Sequence, residues 1–198
     1  MLKRKAISCL DRAAIRETLR QVSNAPLASL TDPIEDGMAQ LLIVYHSRTG
    51  GTRQMAEAAF QAARGETDAL LMRAEDARPE HLLAANGYLF AAPENLAALS
   101  GAMKEFYDRC YYPVLGKLEG RPYAQMICAG SDGENAARQT ARIATGWRLK
   151  EVQPPLIICT HAQTEAEILA EKTISDADRE TCRNLGITLA AGLAMGVF

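Results

Sequence analysis

From residue 41 onward, short apolar runs alternate with longer amphipathic segments, and this alternation constrains the fold more than any other feature of the sequence. Continuous apolar runs of this kind are typical of strands buried on both faces of a parallel sheet. The runs predict strands at residues 41–45, 69–72, 88–92, 123–128 and 156–159. The first of them, Leu-Leu-Ile-Val-Tyr, has no polar residue that could face solvent.

Helical spacing of apolar residues predicts amphipathic helices between and after these strands. The predicted helices cover residues 53–64, 79–85, 100–109, 134–145 and a last helix from residue 175. We expect Ser100 and Ser175 to be N-caps, with Asp178 completing a partial capping box. Gly65 is expected to end the first helix in a left-handed conformation. The buried stripe of the third helix is predicted to be Met103, Phe106, Tyr107 and Cys110.

Strands that alternate with helices in this way form a parallel sheet with helices on both faces, connected by right-handed crossovers. The sequence therefore predicts an α/β fold with three layers, α/β/α, built on a doubly wound sheet of five parallel strands. Ligands of such sheets bind beyond the carboxyl ends of the strands, where the strand order reverses. That rule selects the loops at residues 46–52, 93–99 and 129–133.

Residues 1–39 differ from the rest and are expected to be an N-terminal extension, followed by one domain at residues 40–198. Residues 13–22 can form a short amphipathic helix, which Pro26 and Pro33 separate from the first strand. The extension has no residue with a chemical signature. One interpretation is a docked or loosely attached segment, or residues added by a start codon assigned too far upstream. The other interpretation is a dimer arm or a lid.

Composition and charge exclude several classes of protein. Lys and Arg number 22 against 24 Asp and Glu, a net charge of −2, so neither a basic nucleic-acid surface nor an acidic tail is expected. The five cysteines form no C-x-x-C pair, which argues against a zinc site or a disulfide framework. No apolar run reaches the ~18 residues of a membrane span, and none forms a signal peptide. We expect a soluble, cytoplasmic protein with reduced thiols.

The loop after the first strand, His46-Ser-Arg-Thr-Gly-Gly-Thr52, has the composition of a phosphate cradle. A helix N-terminus offers unpaired N–H groups and a dipole that favours an anion. Hydroxyls add donors, and two adjacent glycines allow close backbone approach. The alternative is a polar helix-capping loop. Neither the P-loop motif of nucleotide hydrolases nor G-x-G-x-x-G is present. The candidate phosphate-binding residues are Ser47, Arg48, Thr49, Gly50, Gly51 and Thr52.

The pattern Ser47-x-Thr49-Gly50-x-Thr52 after an apolar strand resembles the flavin mononucleotide (FMN) phosphate loop of flavodoxin-like proteins. The likeness extends to the NAD(P)H:quinone and FMN reductases of that fold. It implies a strand order of 2-1-3-4-5. Arg48 departs from the mostly uncharged loops of flavodoxins, and it either contacts the phosphate or points to solvent.

Two further loops resemble the flavin-binding loops of the same family. The segment from Pro93 to Arg109 resembles the stretch that runs beside the isoalloxazine ring, and the segment from Ala129 to Gly133 resembles the loop at the ring's pyrimidine edge. Many relatives cover the ring with an aromatic residue that is absent here, so weaker binding or an aromatic from a partner subunit is expected. The resemblance assigns flavin contacts to Pro93, Glu94, Asn95, Leu96, Gly130, Ser131, Asp132 and Gly133. Helix capping explains Ser131 and Asp132 about as well as flavin contact does.

This resemblance implies an FMN oxidoreductase that takes electrons from NADPH or NADH and passes them to a quinone-like or other small acceptor. The flavin supplies the redox chemistry, so no catalytic side chain and no metal ligand is assigned. The alternatives are a flavodoxin-type one-electron carrier and a non-catalytic binding module. The near-neutral charge and the missing aromatic favour the reductase. The acceptor, the preference between NADH and NADPH, and a homo-oligomeric state stay open.

Overall fold

A computed structural model describes residues 40–198 of the protein. The N-terminal extension, with its predicted helix at residues 13–22, lies outside the described residues. The strands are β1 Gln40–Tyr45, β2 Asp68–Arg73, β3 Gly87–Asn95, β4 Ala98–Leu99, β5 Pro122–Ala129, β6 Lys150–Glu151 and β7 Leu156–Cys159. The helices are α1 Gly51–Ala63, α2 Pro79–Ala84, α3 Gly101–Val114, α4 Glu134–Gly146, α5 Glu165–Leu169 and α6 Asp176–Ala194.

The principal strands form a parallel sheet in the order β2-β1-β3-β5, with β7 beside β5. This order confirms the predicted 2-1-3-4-5 arrangement of the five expected strands. Two short strands complete the sheet. β4 pairs with β3 in antiparallel fashion, and β6 pairs with the start of β5.

The outer edge beyond β5 is split into two pieces. β6 pairs with Pro122 and Tyr123 at the start of β5, whereas β7 pairs with β5 from Met126 onward. Pro154 and Pro155 lie between the two pieces, and a proline has no N–H to donate to a neighbouring strand. The fifth position of the sheet is therefore not one continuous strand.

Alternate residues of the central strands enter two separate cores, one on each face of the sheet. In β1, Leu41 and Ile43 pack with α1 and α6, while Leu42 and Val44 pack with α2, α3 and α4. All four side chains are fully buried. The predicted stripe of α3 is buried in the second of these cores. The two cores confirm the three-layer architecture.

Several helix ends differ from the expectation. The left-handed cap predicted at Gly65 is wrong, because Arg64 closes α1 in the right-handed conformation and the Gly65 N–H donates to Ala62. Ser175 caps α6 as predicted, its hydroxyl accepting from the Asp178 N–H. Ser100 stands at the N-cap of α3 without a capping hydrogen bond from its side chain. α3 also continues beyond the predicted end, to Val114.

Gly133, at the N-cap of α4, provides a test of the packing between α4 and the sheet edge. Its φ is +91°, and an added Cβ would lie 2.6 Å from Ile157 Cγ2. We expect Gly133→Ala to lower the free energy of unfolding by about 2–5 kcal/mol, the sum of left-handed strain and overpacking. Urea denaturation measures this change.

Gly116→Ala is the matched control, because Gly116 is also left-handed, with φ of +75°, but an added Cβ there would have no neighbour within 4 Å among residues 40–198. Only the conformational penalty of about 1–2 kcal/mol applies there. Equal losses in the two variants would contradict the packing argument.

Candidate functional site

The first loop joins the buried strand β1 to the N-terminus of α1. Gly50 occupies the N-cap position in a left-handed conformation, with φ of +87°, and no side chain caps the helix. None of the backbone N–H groups from Ser47 to Thr52 donates a hydrogen bond to another residue of the 40–198 range. These donors and the helix dipole together favour an anion at this position.

Two hydroxyl groups of the same loop are buried without a partner. Ser47 Oγ and Thr52 Oγ1 are shielded from solvent, and neither is hydrogen-bonded to a nitrogen or oxygen atom of the described residues. The Thr52 hydroxyl lies within hydrogen-bonding reach of the Cys128 thiol, which is a weak acceptor. A buried polar group without a partner destabilises a protein by about 1–3 kcal/mol. The loop is therefore complete only when a ligand accepts these hydrogen bonds.

The second loop is a tight hairpin between β3 and β4. Asn95 pairs with Ala98, which leaves Leu96 and Ala97 as a two-residue turn, with φ values of 52° and 57°. Such turns usually contain Asn or Gly, because other residues are strained at positive φ. The side chain of Leu96 at the tip is fully exposed.

Four hydrogen bonds attach this hairpin to α4. The Glu94 carboxylate accepts from the Gly133 N–H at 2.8 Å and from the Ala136 N–H at 3.3 Å. Asn135 Nδ2 donates to the Ala97 carbonyl at 2.5 Å, and the Leu99 N–H donates to Gln139 Oε1 at 2.8 Å. Glu94 thus caps the helix that the third loop precedes, where a negative charge is favoured. The second and third loops are fixed to each other by these bonds.

The third loop, residues 130–133, ends in the left-handed Gly133. Asp132 Oδ1 accepts from the Glu134 N–H at 3.4 Å, a long capping contact beside those of Glu94. Ser131 and Asp132 are exposed to solvent. Gly130, at the start of this loop, is the member that faces the space between the loops.

A narrow cavity of about 90 Å³ lies where the three loops meet. Nine of the predicted site residues line it, whereas Gly50, Leu96, Ser131, Asp132 and Gly133 do not. The nine are Ser47, Arg48, Thr49, Gly51, Thr52, Pro93, Glu94, Asn95 and Gly130. The volume suits a phosphate-sized group, so a larger ligand must extend through the mouth onto the surface. The aromatic residues Tyr111, Tyr112 and Trp147, which could in principle cover a flavin ring, do not line this cavity.

A segment that sequence reasoning did not assign to the site, residues 162–174 with α5 at its centre, forms the remaining wall. The Lys172 N–H donates to the Thr49 carbonyl at 2.7 Å. The Gln54 side chain donates to the Lys172 carbonyl at 2.5 Å and accepts from the Ile174 N–H at 3.1 Å. Ile168 also lines the cavity, with about half of its side chain exposed. We call this segment the cover segment.

The cavity combines backbone N–H donors with the exposed side chain of Arg48, which lines it. Burial lowers the pKa of His46, whose Nδ1 lies 2.9 Å from Ser100 Oγ, so the imidazole is neutral at pH 7. The Lys172 ammonium is bound by the carbonyls of Glu167, Ile168 and Ala170. Within residues 40–198, no group of three or more His, Cys, Asp and Glu side chains could hold a metal ion.

Comparisons with known proteins agree with this geometry. Residues 76–163, which include the second and third loops, match the family described as NADPH-dependent FMN reductase. A flavodoxin of Aquifex aeolicus is 29% identical over 170 residues, covering 81% of this chain and 90% of that protein. The chain is thus similar to NADPH-dependent FMN reductases over its second and third loops and to a flavodoxin over most of its length. No helix within residues 40–198 has the length and hydrophobicity needed to cross a membrane.

Solved structures share the flavodoxin-like fold at low identity. An archaeal flavodoxin superposes with a TM-score of 0.64 at 19% identity, covering 78% of this chain and 98% of that one. A flavodoxin, WrbA-like protein from Agrobacterium tumefaciens superposes with a TM-score of 0.59 at 23% identity, covering 80% of this chain and 98% of that one.

The thiol of Cys128, in the cavity wall of this flavodoxin-like protein, provides a pH-dependent test. Burial raises its pKa to about 11, and burial raises that of Cys182 to about 12. Both thiols are protonated at pH 8, and the thiolate is the reactive form. We expect alkylation of the native protein at Cys128 to be slow at pH 8 and to accelerate about tenfold per pH unit towards pH 10.

Peptide mass spectrometry after iodoacetamide treatment identifies each cysteine separately. Protein unfolded in urea is the control, and there all cysteines should react at the rate of a free thiol. Rapid labelling of Cys128 in the native protein at pH 8 would contradict its burial.

Proposed function

We propose that this chain is an FMN-binding oxidoreductase that takes electrons from NADPH or NADH and passes them to a small-molecule acceptor such as a quinone. The observation that carries the proposal is the set of unpaired donors at the start of α1. The backbone N–H groups of Ser47–Thr52 and the buried hydroxyls of Ser47 and Thr52 match the oxygens of a phosphate group. The NADPH-dependent FMN reductase match and the flavodoxin relative support the choice of FMN.

The phosphate of FMN occupies the narrow cavity in this proposal, and the flavin ring lies at its mouth. Pro93, Glu94 and Asn95 would flank one side of the ring, and Gly130 the other. The backbone of residues 131–133 would reach the pyrimidine edge. Leu96, at the fully exposed hairpin tip, would adjoin the open side where a nicotinamide or an acceptor approaches. The small volume of the cavity is compatible with an exposed flavin ring, because only the phosphate group needs to be enclosed.

When bound, FMN supplies the two-electron redox chemistry. The chain contributes binding and orientation. Glu94 holds the hairpin on α4, so the ring meets a surface that is already in place. Neutral His46 connects the first loop to Ser100 through a hydrogen bond and adds no positive charge to the phosphate site. No residue in this arrangement needs to transfer a proton.

The first prediction concerns the two buried hydroxyls. We expect Ser47→Ala and Thr52→Val each to weaken FMN binding by about tenfold or more, because a hydrogen bond to a charged group contributes about 1.5–3 kcal/mol. Without FMN, the same variants should unfold at equal or higher urea concentration, because each substitution removes an unpaired buried group. Fluorescence titration and urea denaturation measure the two effects.

Thr188→Val is the control, because the Thr188 hydroxyl is exposed on α6 and donates to the Asn184 carbonyl. This variant should leave FMN affinity unchanged. Undiminished FMN affinity in Ser47→Ala and Thr52→Val would refute the phosphate assignment.

The second prediction concerns electron transfer. Purified protein loaded with FMN should be yellow, and NADPH or NADH should bleach the flavin in one rapid two-electron phase under stopped flow. The flavodoxin relative favours a one-electron carrier as a second candidate. Slow bleaching with a stable semiquinone would support the carrier, and protein that ignores added FMN would support a non-catalytic module.

A further inference from the structure

A second cavity, of about 700 Å³, lies on the far side of the β3–β4 hairpin, between the hairpin, α3 and α4. Ala98, Leu99 and Ile143 form an apolar wall, and Lys104, Arg138 and Arg142 contribute cationic groups. No carboxylate is among the lining residues. An apolar wall beside clustered cations suits a ligand that is both aromatic and strongly anionic.

The two arginines carry charge that the protein does not neutralise. Arg138 and Arg142 lie one turn apart on α4, and neither forms an ion pair with a carboxylate within residues 40–198. Arg138 Nη2 is instead oriented by Asn135 Oδ1 at 2.6 Å. Lys104 is bound to Asp108 at 2.5 Å, so its charge is largely compensated. Exposed guanidinium groups that form no ion pair are well suited to bind a dianionic phosphate.

The hairpin is the common wall of the two cavities. Glu94 and Asn95 line the cofactor cavity, whereas Ala98 and Leu99 line the second one. A dinucleotide with its nicotinamide on the flavin ring would cross the exposed Leu96 at the hairpin tip. Its adenosine half would then lie against Leu99 and Ile143, with a 2′-phosphate within reach of the two arginines.

We propose that Arg138 and Arg142 bind the 2′-phosphate of NADPH and thereby select NADPH over NADH. The proposal rests on the proposed function, since it assigns the electron donor of that reductase. An arginine near the adenosine ribose is a general means of accepting a 2′-phosphate. Two hydrogen bonds, from Arg138 to Asn135 and from Asn135 to the Ala97 carbonyl, also connect this phosphate site to the hairpin beside the flavin.

Isothermal titration of the full-length protein with 2′,5′-ADP, 5′-ADP, 3′,5′-ADP and inorganic phosphate tests the assignment directly. We expect 2′,5′-ADP to bind at least tenfold more tightly than the other three ligands. The double variant Arg138→Gln/Arg142→Gln should lose that advantage. In steady-state assays, its KM for NADPH should rise at least tenfold while its KM for NADH stays within twofold of the wild-type value.

Arg179→Gln/Arg183→Gln is the matched control, because these arginines also lie one turn apart and are paired with Asp176 and Glu180. It removes the same charge and should change neither KM. Equal affinity of the wild type for 2′,5′-ADP and 5′-ADP would overturn the proposal. Equal affinity for all four ligands, the behaviour of a nonspecific basic patch, would also overturn it.

FMN titration separates this proposal from the one on which it rests. The double variant should bind FMN with wild-type affinity, because neither arginine lines the cofactor cavity. Wild-type protein that binds no FMN but prefers 2′,5′-ADP would refute the flavin function and leave the 2′-phosphate site intact. Normal flavin binding without that preference would refute the 2′-phosphate site alone.

Discussion

The buried hydroxyls of Ser47 and Thr52, which have no nitrogen or oxygen partner within residues 40–198, are the feature on which the rest of the site depends. Ser47 and Thr52 cannot turn to solvent, because β1 is buried on both faces and α1 packs closely on the sheet. An added Cβ at Gly51 would lie 2.7 Å from Cys128 Sγ, so only glycine allows the start of the helix to approach the end of β5 this closely. The loop therefore retains its unpaired donors in the protein itself. In the proposed function, an anion would bind to groups that are already in position.

The second and third loops contribute rigidity in a different way. The Glu94 carboxylate accepts hydrogen bonds from two of the free N–H groups at the start of α4. Within residues 40–198, no side chain does the same at the start of α1. The N-termini of α4 and α1 thus face the same region, but only the N-terminus of α4 already has a carboxylate bound to it. This difference is the reason that the proposed function assigns the phosphate to the first loop. The strained turn at Leu96 and Ala97 is tolerated because α4 holds the hairpin from outside.

Local patterning was enough to predict the fold and the position of the three loops, because buried strands and amphipathic helices are encoded by neighbouring residues. The contacts that complete the site are long-range. Glu94 and Gly133 are 39 positions apart, and sequence reasoning placed Glu94 at the flavin ring without foreseeing that its side chain caps a helix. Lys172 and the cover segment carry no motif. The turn at Leu96 lacks the Asn or Gly that signals a hairpin.

The divided edge of the sheet has a consequence for association between chains. An uninterrupted edge strand presents a row of free N–H and C=O groups on which another chain can add a strand, and this is a common route to aggregation. Here β6 and β7 are separated by Pro154 and Pro155, and β7 contains only 4 residues. An incoming strand would find too short a ladder to gain stable pairing. The two prolines thus act as gatekeepers against intermolecular β-addition along this side.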